Sequence, residues 1–251
     1  MADNLRAIFH GGLRVEPPLL KYRDQPRFRV VSKDLVLCAS GLTPNLDLCY
    51  AAVLGPITPA EFFAQANAFF RDEQPYAVIL EAGVSDALGA ILREQGWRVD
   101  ADMPNMVLSP LPTTFPPPPP DLTIKCVETK MELDAYLTTF NPRAHEPSLA
   151  AATDPGVAVL LGFSEGQLVA RGRLACHGPV AYNVGLVTLP EHRGHGYGTA
   201  LTWAVIAEGA RRGCTSAMLS ASAMGYPLYE RMGFQTVSSS CWYFPPNAPV
   251  L

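Results

Sequence analysis

Along the second half of the chain, apolar and polar positions alternate between two periods. Val157-Ala158-Val159-Leu160-Leu161 is an unbroken apolar run and predicts a buried strand. Residues 168–175 predict its hairpin partner across Ser164-Glu165-Gly166, and 180–188 the next strand. Earlier, 122–127 predict a strand and 131–140 a helix, while 141–156 read as a polar, proline-containing loop region with room for a short helix. From 199 to 212 the period is helical. Ala200, Ala204 and Ala207 share a face that permits close approach to a sheet, Arg211 and Arg212 suit the negative end, and Gly213 supplies the stop. Ala217-Met218-Leu219 predicts a short buried strand, and 228–232 a helical turn or two. Gly233 fits the position after that helix with Phe234 folding back; 234–237 and 241–244 predict closing strands.

The first half echoes this order weakly. Strands are expected at 34–40, 46–54 and 76–80, and helices at 59–71 and 86–94. Gly96-Trp97 stands where Gly233-Phe234 stands later, and Val78-Ile79-Leu80 resembles Ala217-Met218-Leu219. The echo fits two related units, or equally two unrelated α/β pieces with common punctuation. Between them, residues 116–120 are all proline, flanked by Pro110, Pro112 and Asp121, a stiff extended run that cannot enter a sheet. The expected division is a domain at 1–115, a linker at 116–120 and a domain at 121–251, in the α/β class with a mixed sheet.

One stretch carries chemistry. Residues 187–199 read Val-Thr-Leu-Pro-Glu-His-Arg-Gly-His-Gly-Tyr-Gly-Thr, an apolar strand running into a glycine-rich turn that opens a helix. Gly194, Gly196 and Gly198 let successive backbone N–H groups converge, and the helix adds its unpaired first-turn donors and positive dipole end. Phosphate or pyrophosphate is the natural guest; the bland alternative is a tight connection. A dinucleotide-binding unit fits poorly, because Thr199 takes the place of its third glycine and no acidic residue ends a second parallel strand about 20 residues on. A P-loop fails because Gly-Lys-Ser/Thr is absent.

Composition narrows the partners. The 251 residues carry a formal charge of −4 with no clustered Lys or Arg, which argues against nucleic acid and for small molecules. The six cysteines are scattered singly, as reduced core residues would be. Cys176 and His177 are strand neighbours pointing to opposite faces, so no metal site is expected. The chain starts without a basic and apolar leader and has no apolar stretch long enough for a bilayer, so a soluble cytoplasmic protein without membrane partners is expected.

Arg193-Gly194-His195-Gly196-Tyr197-Gly198 matches the R/Q-x-x-G-x-G/A signature of GNAT acyltransferases, and Leu228-Tyr229-Glu230-Arg231-Met232-Gly233-Phe234 matches their later Leu-Tyr-x-x-x-Gly-Phe element. On these motifs, in this order, residues 122–244 resemble that superfamily, and the whole chain resembles its tandem type with a degenerate N-terminal half. The resemblance implies acetyl-CoA as co-substrate and direct transfer of acetyl to an amine of a small molecule or peptide, without a covalent enzyme intermediate. It places the pyrophosphate at Arg193, Gly194, His195, Gly196, Tyr197, Gly198 and Thr199, with Arg193 binding phosphate or ordering the loop. It further implies a bulge that splays the preceding strand, so that Leu186, Val187 and Thr188 pair with pantetheine amides.

Tyr229 is then the expected acid, donating to the departing thiolate; packing of its ring is the plainer role. Seven residues earlier, where many relatives carry asparagine, stands Ser222, able to touch the pantetheine arm or cap a helix. The glutamate that several relatives use as base is absent: Ala181 and Ala217 flank the expected cleft. Tyr182 and Asn183, through a water, or His145, Glu146 or Asp154 in the acceptor-side loop are the substitutes. In the first half Pro56 and Pro59 remove donors from the corresponding turn, and Leu92 stands where Tyr229 stands. No cofactor site is expected there; that half covers the sheet or shapes the acceptor cleft. The competing class is a non-catalytic acyl-CoA-binding or interaction protein.

Overall fold

Eleven strands join into one continuous sheet in the computed structural model, which describes residues 2–23, 25–40, 48–70, 75–140 and 148–246. The first half contains α1 (Ala2–Leu13), β1 (Arg27–Ser32), β2 (Leu35–Ala39), β3 (Tyr50–Val53), α2 (Pro59–Phe69), β4 (Ala77–Glu81), α3 (Asp86–Glu94) and β5 (Arg98–Leu108). After the proline run come β6 (Leu122–Cys126), α4 (Lys130–Phe140), α5 (Leu149–Ala152), β7 (Val157–Ser164), β8 (Gln167–His177) and β9 (Val180–Thr188). The chain continues through α6 (Tyr197–Arg211), β10 (Ser216–Ser220), α7 (Tyr226–Arg231) and β11 (Gln235–Phe244).

Strand order is β1-β2-β3-β4-β11-β5-β10-β9-β8-β7-β6. The last strand of each half therefore lies inside the other half's territory. β5 is antiparallel to both β10 and β11, and β11 is antiparallel to both β4 and β5. Buried polar groups mark this exchange: Asn105 on β5 donates to Ser238 Oγ (3.0 Å) and Ser240 Oγ (2.7 Å) and accepts from Ser220 Oγ (2.8 Å), so its amide is satisfied on three sides.

Alternate strand residues serve opposite cores. Leu37, Ala51, Val78 and Leu80 pack with Phe62, Leu88 and Leu92 of α2 and α3. In the second half Leu174, Ala181 and Ala217 pack with Leu201, Val205 and Ile206 of α6. On the other face, Leu133, Tyr136 and Ala152 cover Val159 and Leu161, while α1 lays Leu5, Phe9 and Leu13 on residues of both halves, among them Ile79, Val180 and Met218. The four-residue spacing of those three side chains gives α1 its apolar stripe. Gly12 brings the helix close, since a Cβ there would come within 2.6 Å of the Met218 sulfur. The buried Glu81 carboxylate pairs with Arg6 (3.0 Å) and His10 (2.9 Å) of the same helix.

Three elements are absent from the pattern reading: α1, β1 and β5. The two closing strands expected at 234–237 and 241–244 are one strand, with register shifts against β5 between Thr236 and Ser238 and between Ser240 and Trp242. The α7 terminus is as expected: Phe234 N donates to Tyr229 O (3.1 Å), Gly233 N to Glu230 O (3.0 Å), and Gly233 takes φ +92°. The parts of the expected strand 46–54 before Leu48 and of helix 59–71 after Phe70 lie outside the described residues.

Candidate functional site

β9 and β10 run parallel and pair only over Val180–Tyr182 against Ser216–Met218. Beyond that point they part, because β9 carries an irregularity: against β8 its register shifts between Val184 and Val187, and Gly185 takes φ +63°. A side chain there would be strained by that conformation and tightly placed, as a Cβ would lie 3.0–3.2 Å from the guanidinium nitrogens of Arg171 and Arg173. The strand's last residues thus turn backbone groups toward a gap rather than toward β10.

From Thr188 the chain makes a 3-10 turn at Pro190–His192, and Gly194 and Gly196 adopt φ +83° and +80°. Gly196 is the residue before α6 and offers no side-chain cap; the first intrahelical bond runs from Ala200 N to Gly196 O (3.0 Å). The N–H groups of Tyr197, Gly198 and Thr199 are the orphan donors of that helix end. Arg193 donates from Nε to Thr188 O (3.2 Å), which orders the loop. The Tyr197 phenol is buried away from solvent, donating to the Asp121 carboxylate and lying 3.0 Å from Ser164 Oγ. The hydrogen bond to Asp121 keeps that phenol protonated by raising its pKa, and it fastens the helix start to the beginning of β6 and the end of β7. His195 is exposed, its ring stacked 5.6 Å from that of Tyr197.

These pieces border one cleft of about 540 Å³. Leu186, Val187, Thr188, Arg193, Gly194, Gly196, Tyr197, Gly198, Thr199, Ser222 and Tyr229 all line it; His195 does not. His192, Met224, Gly225, Leu228 and Arg231 line it as well and were missed by the motif reading. Gly225 had a legible signal: it stands four residues before Tyr229, one helical turn away. A Cβ on it would come within 2.9 Å of the Tyr229 ring, so glycine makes room for the phenol. His192, Arg193 and Arg231 border the cleft without any Asp or Glu among the described lining residues, a balance that suits a polyanion.

Tyr229 packs edge-on against Phe234 (centroids 5.7 Å apart). Burial pushes its hydroxyl up to about 12, so at neutral pH the group is a hydrogen-bond donor. Ser222 closes the turn before α7, its Oγ accepting from Gly225 N (3.2 Å), and the helix's own N-cap, Gly225, carries no side-chain cap. The substitutes for a base fare differently. Neighbours on β9, Tyr182 and Asn183 serve opposite faces of the sheet and cannot share one water. Asp154 is committed elsewhere: it accepts from Tyr22 Oη (2.6 Å), Lys21 Nζ (2.5 Å) and Gly156 N (2.7 Å). Burial alone would raise its pKa, but these donors outweigh it and hold the carboxylate below its ordinary value. His145 and Glu146 lie outside the described residues. Among the described residues no group of three His, Cys, Asp or Glu could hold a metal ion, and no helix is long and apolar enough to cross a membrane.

Residues 121–234 match the sequence model of the acetyltransferase (GNAT) family. No curated protein matches the chain. Among solved structures it is similar to a GCN5-related N-acetyltransferase from Kribbella flavida (21% identity, 97% of this chain and 96% of that one, TM-score 0.72). It is also similar to a GCN5-related N-acetyltransferase-like protein from Streptococcus suis (12% identity, 97% and 99% covered, TM-score 0.61). A third match is a tandem GNAT protein from the clavulanic acid biosynthesis pathway (15% identity, 99% and 89% covered, TM-score 0.55). The segment 121–234, with its uncapped helix and Tyr229 on one cleft, belongs to the GNAT superfamily, and the chain as a whole has that superfamily's fold.

Proposed function

We propose that the protein is an N-acetyltransferase that moves an acetyl group from acetyl-CoA directly to an amine. The observation that carries this reading is the shared cleft: an uncapped helix N-terminus, a strand edge released from its parallel neighbour and a protonated phenol all open on it. The residues fit the donor. Gly194 to Thr199 would hold the pyrophosphate through backbone N–H groups, with Arg193 ordering the loop. The backbone of Leu186, Val187 and Thr188 would pair with the pantetheine amides, as an added strand pairs with a sheet edge. Acetyl-CoA supplies the activated acyl group. Tyr229 would donate to the sulfur as the C–S bond breaks and the C–N bond forms; the proton lost by the amine returns to the phenol through solvent, so none is consumed. No Asp or Glu stands among the described lining residues, and in this reading the acceptor arrives as a neutral amine.

We assign the donor site to residues 121–251, beyond the linker 116–120, and give residues 1–115 no cofactor site. Six free cysteines suit a reducing compartment, and we place the reaction in the cytoplasm. The test follows free thiol release from acetyl-CoA over a broad amine panel. Tyr229→Phe is expected to lower kcat by about 10²- to 10⁴-fold while leaving acetyl-CoA affinity unchanged. Acetyl-CoA binding without turnover of any amine would overturn the enzyme reading in favour of a non-catalytic acyl-CoA-binding protein.

A further inference from the structure

Two of the six free cysteines, remote in sequence, meet in space. Cys176 stands on β8, and Cys214 on the turn that leads from α6 into β10, between the exposed residues Gly213 and Thr215. Cys176 pairs in register with Ala181 of β9, and directly opposed strand residues share a face of the sheet. Gly209 of α6 comes down on that face: a Cβ there would lie 2.7 Å from the Ala181 Cβ and 3.8 Å from the Cys214 Cβ. Cys214 N donates to Gly209 O (2.9 Å), which fixes the turn over the same spot. The two thiols lie within hydrogen-bonding reach of each other.

Arg212 stands beside the pair. Its Nη1 donates to the carbonyls of Asp154 (3.0 Å), Pro155 (2.7 Å) and Val157 (2.6 Å), and Val157 opposes Ala175, the residue before Cys176. The Cys214 S–H and, more weakly, this guanidinium favour a thiolate at Cys176. Together they outweigh burial and the carboxylates of Glu208 and Asp154, and hold the Cys176 thiol below its ordinary value. The same contact drives Cys214 upward, so that it keeps its proton. Cys38, Cys49 and Cys126 are instead pushed up by burial, Cys49 to about 11. Cys176 is partly exposed and Cys214 buried. A thiolate open to solvent beside a protonated partner thiol is the arrangement of an attacking and a resolving sulfur.

We propose that Cys176 and Cys214 form a redox site, oxidised by hydroperoxides to a reversible disulfide. The Cys176 thiolate attacks one oxygen of hydrogen peroxide; an S–O bond forms, the O–O bond breaks, and the departing hydroxide takes up a proton to become water. The Cys214 sulfur then attacks the resulting sulfenic acid, forming the S–S bond and breaking the S–O bond, and the hydroxyl leaves as water with the Cys214 proton. In sum two thiols lose two electrons and one peroxide becomes two waters. A dithiol reductant restores the pair by thiol–disulfide exchange. Neither cysteine lines the donor cleft, and the site stands whether or not the protein is a transferase. The segment between them holds β9, the glycine turn and α6, so the bond ties together the two ends of the segment that builds that cleft.

The reduced full chain is treated with hydrogen peroxide at neutral pH, its remaining thiols are blocked with iodoacetamide, and the tryptic peptides are mapped by mass spectrometry. Two of the six thiols should be lost, in one Cys176–Cys214 link that dithiothreitol reverses. Cys176 should be consumed about tenfold or more faster than Cys126, the ratio that one pKa unit of thiolate fraction sets. In Cys214→Ser, Cys176 should stop at a sulfenic acid that dimedone traps, and in Cys176→Ser, Cys214 should stay unreacted. A link between other cysteines, oxidation of Cys126 ahead of Cys176, or a Cys176 that peroxide leaves unmodified overturns the proposal. The wild-type map decides alone if either variant fails to fold.

Discussion

Strand β3 leads into α2 much as β9 leads into α6, but the two connections finish differently. All four residues of β3 pair with β4, whereas β9 leaves β10 after three. The first turn contains Pro56 and no residue with positive φ; the second places Gly194 and Gly196 there. Gly55 serves proximity instead, since a Cβ on it would collide with the Asp34 carboxylate at 2.0 Å. At the helix ends the contrast is sharper. Thr58 accepts from Glu61 N (3.2 Å), while the Glu61 carboxylate accepts from Thr58 N (3.1 Å) and Thr58 Oγ1 (2.7 Å), a closed capping box. Those bonds hold the Glu61 carboxylate below its ordinary value. The anion position of α2 is thus filled by the helix's own side chain, and that of α6 is left open by Gly196. A strand, a turn and a helix make an anion site only when the helix end stays uncapped.

The most damaging way to erase this difference is Gly196→Val. A β-branched side chain at φ +80° is strained and would rearrange the turn. With one or two charge-assisted bonds lost, acetyl-CoA affinity measured by calorimetry should fall about 10- to 10³-fold.

A second contrast lies at the strand ends, where β10 finishes with Ser220 and β4 with the carboxylate of Glu81. Burial would raise the pKa of Glu81, yet hydrogen bonds from His10, Arg6 and Ser238 bring it down to about 2, against an ordinary 4.5. A depressed folded-state value means stability that is full above the ordinary pKa and is lost as pH falls from there through about 2. Urea midpoints should decline across that window, and Glu81→Gln should flatten the decline. A wild-type midpoint unchanged between pH 5 and 3 would remove Glu81 from the account.

The smallest expected effect is that of Thr58→Ala, which opens the α2 end: a stability loss of about 1 kcal/mol by denaturation. Acetyl-CoA affinity should stay as in the wild type, because Pro56 still deprives that turn of a donor. A new binding event would show that capping alone separates the halves.

The C-terminal elements and the cleft were legible because their signals are local: glycine spacing, helix stops and the Leu-Tyr-x-x-x-Gly-Phe element lie within short windows. β5 was hidden for the opposite reason. Its partners β10 and β11 are remote in sequence, and Pro104 within it reads as a breaker, yet it pairs with Ser239 inside an irregular stretch of ladder. In α1, Gly11 and Gly12 mask a stripe that Leu5, Phe9 and Leu13 would have disclosed; the docking surface, which the helix pattern alone does not contain, decides in favour of helix. Asp154 misled because a loop aspartate looks solvated until Lys21, Tyr22 and Gly156 are seen around it.

The exchanged last strands also set a timetable for the chain as it leaves the ribosome. β4 and β5 are made early but do not neighbour each other; the space between them is reserved for β11, which emerges after the whole second half. Asn105 must wait for Ser238, 133 residues later, to satisfy its amide. Until then two strand edges stand open, which is the condition that invites edge-to-edge aggregation and slow, late-closing assembly. The first half is thus held unfinished by the second, and the two can only mature together.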